Sequence, residues 1–295
     1  MNPREAGFLL LSSSLGDPRR KPLTTAQLRN LALRVAAAER PEEDRELASA
    51  DLTAMGYGRE MAEKILLLLR DEPVLNRYIA RAKQANCIPV TRVSPGYPAL
   101  LRQRLDLDSP GVLWAKGDLS LLERRAVALV GSRDIRRENG KFAARVGREA
   151  ARQGFVLVSG NARGADRIAQ KACLDAGGQI ISVVADELKK QEPGENVLYL
   201  SEDGFDLEFS ALRALSRNRV IHALGEKTFV AQCSLETGGT WSGTVRNLKE
   251  GFSPVFCFRD GSDAMSRLTE MGAEPVEPDS LTNFQALEQI NIRLF

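Results

Sequence analysis

The chain of 295 residues has almost no histidine: His222 stands alone. A Ser/His/Asp relay or a histidine-rich metal centre therefore has at most one imidazole to use. His222 sits among apolar residues in "VIHALG", where a packed core histidine is a better reading than a general base. Cysteine is nearly as scarce: Cys87, Cys173, Cys233 and Cys257 lie far apart with no C-x-x-C pair, so neither a zinc site nor a disulfide framework is supported. A reducing, cytoplasmic setting is expected. No apolar run reaches membrane-spanning length, and Phe8 to Leu11 is too short for a signal core, so no membrane association is expected. The net charge of +2 excludes a histone-like polycation but allows a local basic face. Neither G-x-G-x-x-G nor a Walker A loop occurs, which disfavours dinucleotide and P-loop chemistry.

What is present falls into three parts. Residues 1–86 read as helical. "TTAQLRNLALRVAAAER" offers Thr24 or Thr25 as an N-cap, with Pro41 as the stop. In "LTAMGYGREMAEKILLLL", Gly56 and Gly58 precede a helix carrying Met61, Ala62, Ile65, Leu66 and Leu69. This is either a plain hairpin closed by a glycine turn or a helix-hairpin-helix element whose N–H groups can face a phosphate. Residues 87–125, with "CIPVTRVSPGYPALL" and "DSPGVLWAKGD", read as an extended connector rich in Pro and Gly. From 126 to 295, short apolar runs (AVALVG, FVLVSG, QIISVVAD, KTFVAQC, PVFCFRD) alternate with helical patterns near 138–152 and 164–176. Continuous apolar strands separated by helices predict a parallel sheet covered on both faces, an α/β, doubly wound Rossmann-like fold. One short helix near 281–293 is expected at the end.

Two strand ends look alike. "LVGSRD" presents Gly131, Ser132 and Arg133, and "LVSGNARGAD" presents Ser159, Gly160, Arg163 and Gly164. Each places small residues and a cation at the carboxyl edge of the sheet, where such folds bind ligands. The following helix carries Arg163, Arg167 and Lys171 at four-residue spacing, a basic face opposite its apolar one. Arg136, Arg137 and Lys141 add a second cluster, which reads equally well as a solvated face. "SRNRVI" places Arg217, Asn218 and Arg219 just ahead of a further strand. "SLETGGTWSGT", with Glu236, Gly238, Gly239 and Thr240, is either an anion-binding nest or a flexible strand-to-helix loop. Phe142, Phe155 and Trp241, the aromatics near these motifs, allow at most one or two stacked bases, so binding there should rest on charge.

These motifs, in this order, resemble the DprA/Smf (DNA-processing protein A) family. "VALVGSR" is similar to its first Rossmann strand and turn, and "LVSGNARGADRIAQKACLDAGGQIISVV" to its glycine turn, helix and third strand. "SRNRVIHAL" resembles its R-N-R-x-I segment, and "LETGGTWSGTVRNLKEGFSPVFCF" its Glu and Gly/Ser/Thr loop, helix and strand. The resemblance implies a single-stranded DNA-binding protein without catalysis or cofactor, which helps load a RecA-type recombinase and can form a homodimer. Arg133, Arg217 and Arg219 would then be phosphate contacts, and Arg163 would face the same groove. The chain departs from the family where Gln170 replaces a usual His, in a shortened tract before the R-N-R segment, and in the expected lack of a C-terminal winged helix. The alternative from another class is a nucleotide-binding or N-glycosidase protein like the phosphoribohydrolases, suggested by "ETGGTWSGT", although Glu236 precedes the glycines instead of following them.

Overall fold

The computed structural model describes residues 1–38, 47–202 and 204–289, so Pro41 lies outside the described residues. Helix α1 (Pro3–Ser12) is closed by a capping box between Asn2 and Glu5. Of the two threonines, Thr24 caps α2 (Thr25–Ala37), with Gln27 returning the bond. Helices α3 (Ser49–Ala54) and α4 (Arg59–Leu69) meet at Gly56, whose φ of +81° suits glycine. Arg34 donates to the Met55 carbonyl at that turn and lies 4.6 Å above the Tyr57 ring. Leu31, Leu52, Ala62, Ile65 and Leu68 form the core of this unit.

Helix α5 (Glu72–Gln84) fastens the helical part to the sheet. Tyr78 meets Trp114 edge-on at 5.2 Å and Phe205 at 4.8 Å, and its hydroxyl donates to Asp206 at 2.8 Å. The segment expected to be a connector instead supplies β1 (Ile88–Thr91), α6 (Ala99–Leu105) and β2 (Val112–Gly117). Pro89 has no N–H to donate and is tolerated because β1 is an edge strand.

The remaining strands are β3 (Ala126–Val130), β4 (Val156–Ser159), β5 (Gln179–Val183), β6 (Val197–Ser201), β7 (Thr228–Val230), β8 (Val255–Phe258) and β9 (Glu274–Val276). They form one sheet in the order β1-β2-β6-β5-β4-β3-β7-β8-β9. From β6 to β9 every pairing is parallel, whereas β1–β2 and β2–β6 are antiparallel. Helices α7 (Arg137–Arg152) and α8 (Ala165–Asp175) cover one face. Helices α9 (Ala211–Leu224), α10 (Gly238–Glu250) and α11 (Asp263–Glu270) cover the other, together with α6. Residues of β3 divide accordingly: Val127 and Leu129 face α7 and α8, while Ala126, Ala128 and Val130 face α9. The fold is the doubly wound α/β architecture, and the chain reverses direction across the sheet between β3 and β7.

Two further expectations change. "SRNRVI" does not precede a strand; it lies inside α9, which Ser210 caps by accepting the Arg213 N–H at 3.1 Å. Its apolar end, Val220 to Leu224, is a buried helix face, a pattern that a short apolar run cannot distinguish from a strand. No helix occupies 283–289, and the last residues of the expected 281–293 helix lie outside the described residues; a 3₁₀ turn at Pro278–Thr282 places Leu281 in the core, and Phe284 follows it there.

Candidate nucleic-acid interface

The carboxyl ends of β4, β3 and β7 lie side by side at the point where the strand order reverses, the place where doubly wound sheets form a ligand crevice. Its floor is made of two turns in backbone contact. A Cβ on Gly131 would overlap Ala165, and a Cβ on Gly164 (φ +88°) would overlap the Ser132 and Arg133 carbonyls, so only glycine allows the approach. Ala165 N–H donates to the Ser132 carbonyl at 3.1 Å, and the Thr240 hydroxyl donates to the Gly131 carbonyl at 3.0 Å. The β3, β4 and α10 segments are thus tied together around the crevice.

Arg217 enters from α9. The residue is only 8% exposed, and its Nη1 occupies the space where a Cβ on Gly160 would be. Neither Nε nor Nη1 has a hydrogen-bond partner. Burial lowers the Arg217 pKa, with Asp166 acting in the opposite direction and Arg133 reinforcing the fall. A guanidinium held this way costs free energy that an anion in the crevice would recover, because unmet buried donors cost about 1–3 kcal/mol each, more when charged. Arg133 stands at the mouth, exposed, with its guanidinium 5.9 Å from the centre of the Phe209 ring.

The other cations form an outer margin. Arg163 pairs with Asp134, Arg167 reaches the Asn161 carbonyl at 3.4 Å, and Lys171 pairs with Asp175 at 2.7 Å. The two ion pairs are exposed, so their carboxylates hold them weakly and a phosphate can displace them. Arg136 is paired with Asp260, and Lys141 with Glu138.

Several expected site residues are placed elsewhere. Ser159 is fully buried, its hydroxyl accepting from Gln170 Nε2 at 2.6 Å; Gln170 also reaches Ser182 at 3.0 Å and so bridges β4 to β5. Arg219 lies two residues beyond Arg217, on another side of α9, and forms a buried double ion pair with Glu202. It also donates to the Ser216 carbonyl and hydroxyl. Asn218 donates to the Gly239 carbonyl at 3.0 Å and ties α9 to α10. The loop at 234–237 is short: Gly238, Gly239 and Thr240 already belong to the first turn of α10, and Glu236 takes a left-handed φ of +55° at its exposed lip.

Phe142, Phe155 and Trp241 are buried and offer no ring to a base. Exposed apolar side chains lie instead at the N-terminal end of α9: Phe209, just before the Ser210 cap, is 55% exposed, and Leu212 and Leu215 follow at i+3 and i+6. That spacing is visible in "FSALRAL" once a helix is assumed. Asp166 is the other residue the motifs did not single out. It is buried, and its carboxylate accepts the Gly160 N–H at 3.1 Å and the Ala162 N–H at 3.2 Å. His222 is a core residue as expected, with Nδ1 beside Asn247 and burial pushing its pKa down to about 3. The four cysteines are buried and unpaired. Among the described residues no cluster of His, Cys, Asp or Glu is arranged to hold a metal, and no helix is long and apolar enough to cross a membrane.

The family described as DNA recombination-mediator protein A matches residues 89–284, from β1 through Phe284. The chain belongs to that family. Among its relatives, DNA processing protein DprA of Bacillus subtilis is 32% identical over 179 residues, covering 56% of this chain and 59% of the relative. The Streptococcus pneumoniae DprA is 31% identical over 194 residues, covering 60% and 68%. The crystal structure of the S. pneumoniae DprA superposes with a TM-score of 0.73 at 25% identity, over 98% of this chain and 99% of that one. A Helicobacter pylori DprA, solved to describe its single-stranded DNA binding mode, has a TM-score of 0.56 at 25% identity over 68% and 95%. The DprA family resemblance implied by the motifs therefore holds. The matched region begins within the presumed connector, in keeping with its place in the sheet.

Proposed function

We propose that the protein binds single-stranded DNA in the crevice between β3, β4 and α9, as a recombination mediator that performs no chemistry on the strand. Arg217 carries this reading: a buried guanidinium with two unpartnered donors, at the ligand-binding edge of a doubly wound sheet, calls for an anion. Arg133 would hold the same phosphate from the solvent side. The displaceable pairs of Arg163 and Lys171 would guide the flanking backbone, and Phe209 with Leu212 and Leu215 would receive bases. Handing the strand to a RecA-type recombinase and pairing as a homodimer belong to the same proposal, as what the relatives' family suggests.

Fluorescence anisotropy with labelled oligothymidylate tests it. Wild type should bind, and Arg217→Ala and Arg133→Ala should each weaken binding while remaining folded. Incubation with nucleoside monophosphates separates the alternative: release of free base dependent on Glu236 would replace this reading with a nucleotide hydrolase.

A further inference from the structure

The crevice contains a charge that phosphate binding does not need. Asp166, in the first turn of α8, is buried beneath the 160–162 turn and holds it through two N–H bonds. The cations that face it are Arg217 from α9 and Arg133 from the turn after β3. Arg217 is faced in addition by Asp186, beyond β5. Gln170, one turn further along α8, is neutral and engaged with Ser159 and Ser182. A phosphate entering between Arg133 and Arg217 and the carboxylate of Asp166 would therefore compete for the same two guanidinium groups.

Building on the phosphate site proposed above, we infer that Asp166 is a positioning residue: it keeps the Gly160 turn open for Arg217 and takes up a proton when a phosphate arrives. A like charge placed close by in a low-dielectric site disfavours the ionised carboxyl. Burial already pushes the Asp166 carboxyl above its usual range, opposed by Arg217, by the Ala162 and Gly160 N–H groups and by Arg133. The protonated acid keeps an acceptor oxygen for both N–H groups, so the turn survives the change. Because the complex then holds more protons than the free protein, affinity rises as pH falls through the bound-state pKa and levels off below the free-state value.

The background is quiet enough to see this. The single histidine is buried with its pKa near 3, and burial raises the thiols of Cys173 and Cys233 to about 11 and about 12. Histidine, the usual source of proton linkage between about pH 5 and 8, is thus silent. Calorimetry of oligothymidylate binding in buffers of different ionisation enthalpy should show uptake of up to about one proton per site, with Kd falling as much as about tenfold per pH unit toward acid. Asp166→Asn, which keeps an acceptor oxygen but cannot titrate, should give a flat profile at the acid-side affinity of wild type. A flat wild-type profile, or an unchanged slope in Asp166→Asn, overturns the assignment. Should oligothymidylate not bind at all, the phosphate reading itself fails. Carboxyl ¹³C NMR on the wild-type protein then decides the role of Asp166 separately. A titration in the ordinary carboxylate range, unmoved by inorganic phosphate, excludes it, and an elevated titration that phosphate raises further supports it.

Discussion

The Arg217 guanidinium lies against the Cα of Gly160, in the space that any larger residue at that position would need. The glycine therefore serves as a seat for an arginine, in addition to giving the turn its freedom. Gly160→Ala should displace Arg217 and weaken single-stranded DNA binding about as much as Arg217→Ala does. The double variant should then lose little more, because both changes remove one interaction. Affinities from anisotropy, arranged as a double-mutant cycle, check this, and additive losses would show that Gly160 and Arg217 act separately.

The same burial has a cost for the fold. Replacing Arg217 by Met removes two unmet donors but also takes from the buried Asp166 the guanidinium that faces it, so the gain should show where Asp166 is neutral: in an Asp166→Asn background, Arg217→Met should stabilise the unliganded protein by roughly 1–3 kcal/mol while DNA affinity is lost. Urea unfolding without DNA, comparing the double variant with Asp166→Asn, measures the gain. A double variant less stable than Asp166→Asn would mean that the Arg217 donors are satisfied in the free protein, leaving the anion argument without support.

Arg219, though part of the same R-N-R segment, should behave differently. Its pair with Glu202 is largely buried, so Arg219→Ala should destabilise the protein by about 3 kcal/mol because the buried Glu202 carboxylate loses this cation. Its salt dependence of DNA binding should stay that of wild type. Arg133→Ala should instead flatten the slope of log K against log salt by about 0.7, one phosphate on a single strand, with stability unchanged. A flattened slope in Arg219→Ala would restore it to the groove.

The contrast between these two arginines marks where sequence reading stops. Strands β3, β4, β5, β7 and β8 were legible because strands covered on both faces are continuous apolar runs, and the glycine turns were legible because close backbone approach needs glycine. Strands β1, β2, β6 and β9 were not, since each is short, antiparallel to a neighbour or set among prolines and charges. Whether an arginine faces a ligand or a carboxylate depends on helix phase: Arg217 and Arg219 are two residues apart on α9 and so point in different directions, which an assumed strand boundary hides. Asp166 carries no motif signal, and only its bonds to the Gly160 and Ala162 N–H groups single it out.

His222 gives a pH dependence of stability with a definite sign. Its pKa is near 3 in the folded protein against an ordinary 6.5, so below about pH 6.5 the unfolded chain binds the extra proton. Stability should therefore be full above that value and fall as pH drops from 6.5 toward 3, by about 2 kcal/mol at pH 5 from this group alone. Urea unfolding at pH 7.5 and pH 5, with His222→Gln for comparison, isolates the contribution. An equal loss in the variant would assign the acid sensitivity to carboxylates instead.

Phe209 separates stacking from charge. Its ring is exposed beside the Arg133 guanidinium, and Leu212 and Leu215 continue the apolar surface along α9, while the aromatics closest to the motifs are buried. If a base rests on this surface, Phe209→Ala should weaken oligothymidylate binding by about 1–3 kcal/mol, the usual worth of one stacked base. Because no phosphate contact is lost, the salt slope should remain that of wild type, in contrast to Arg133→Ala. Leu212→Ala should cost less, since an aliphatic side chain offers contact but no π-face. Anisotropy salt titrations on the three variants distinguish the cases: a Phe209→Ala protein with wild-type affinity would mean that the strand passes over Arg133 with its bases turned to solvent.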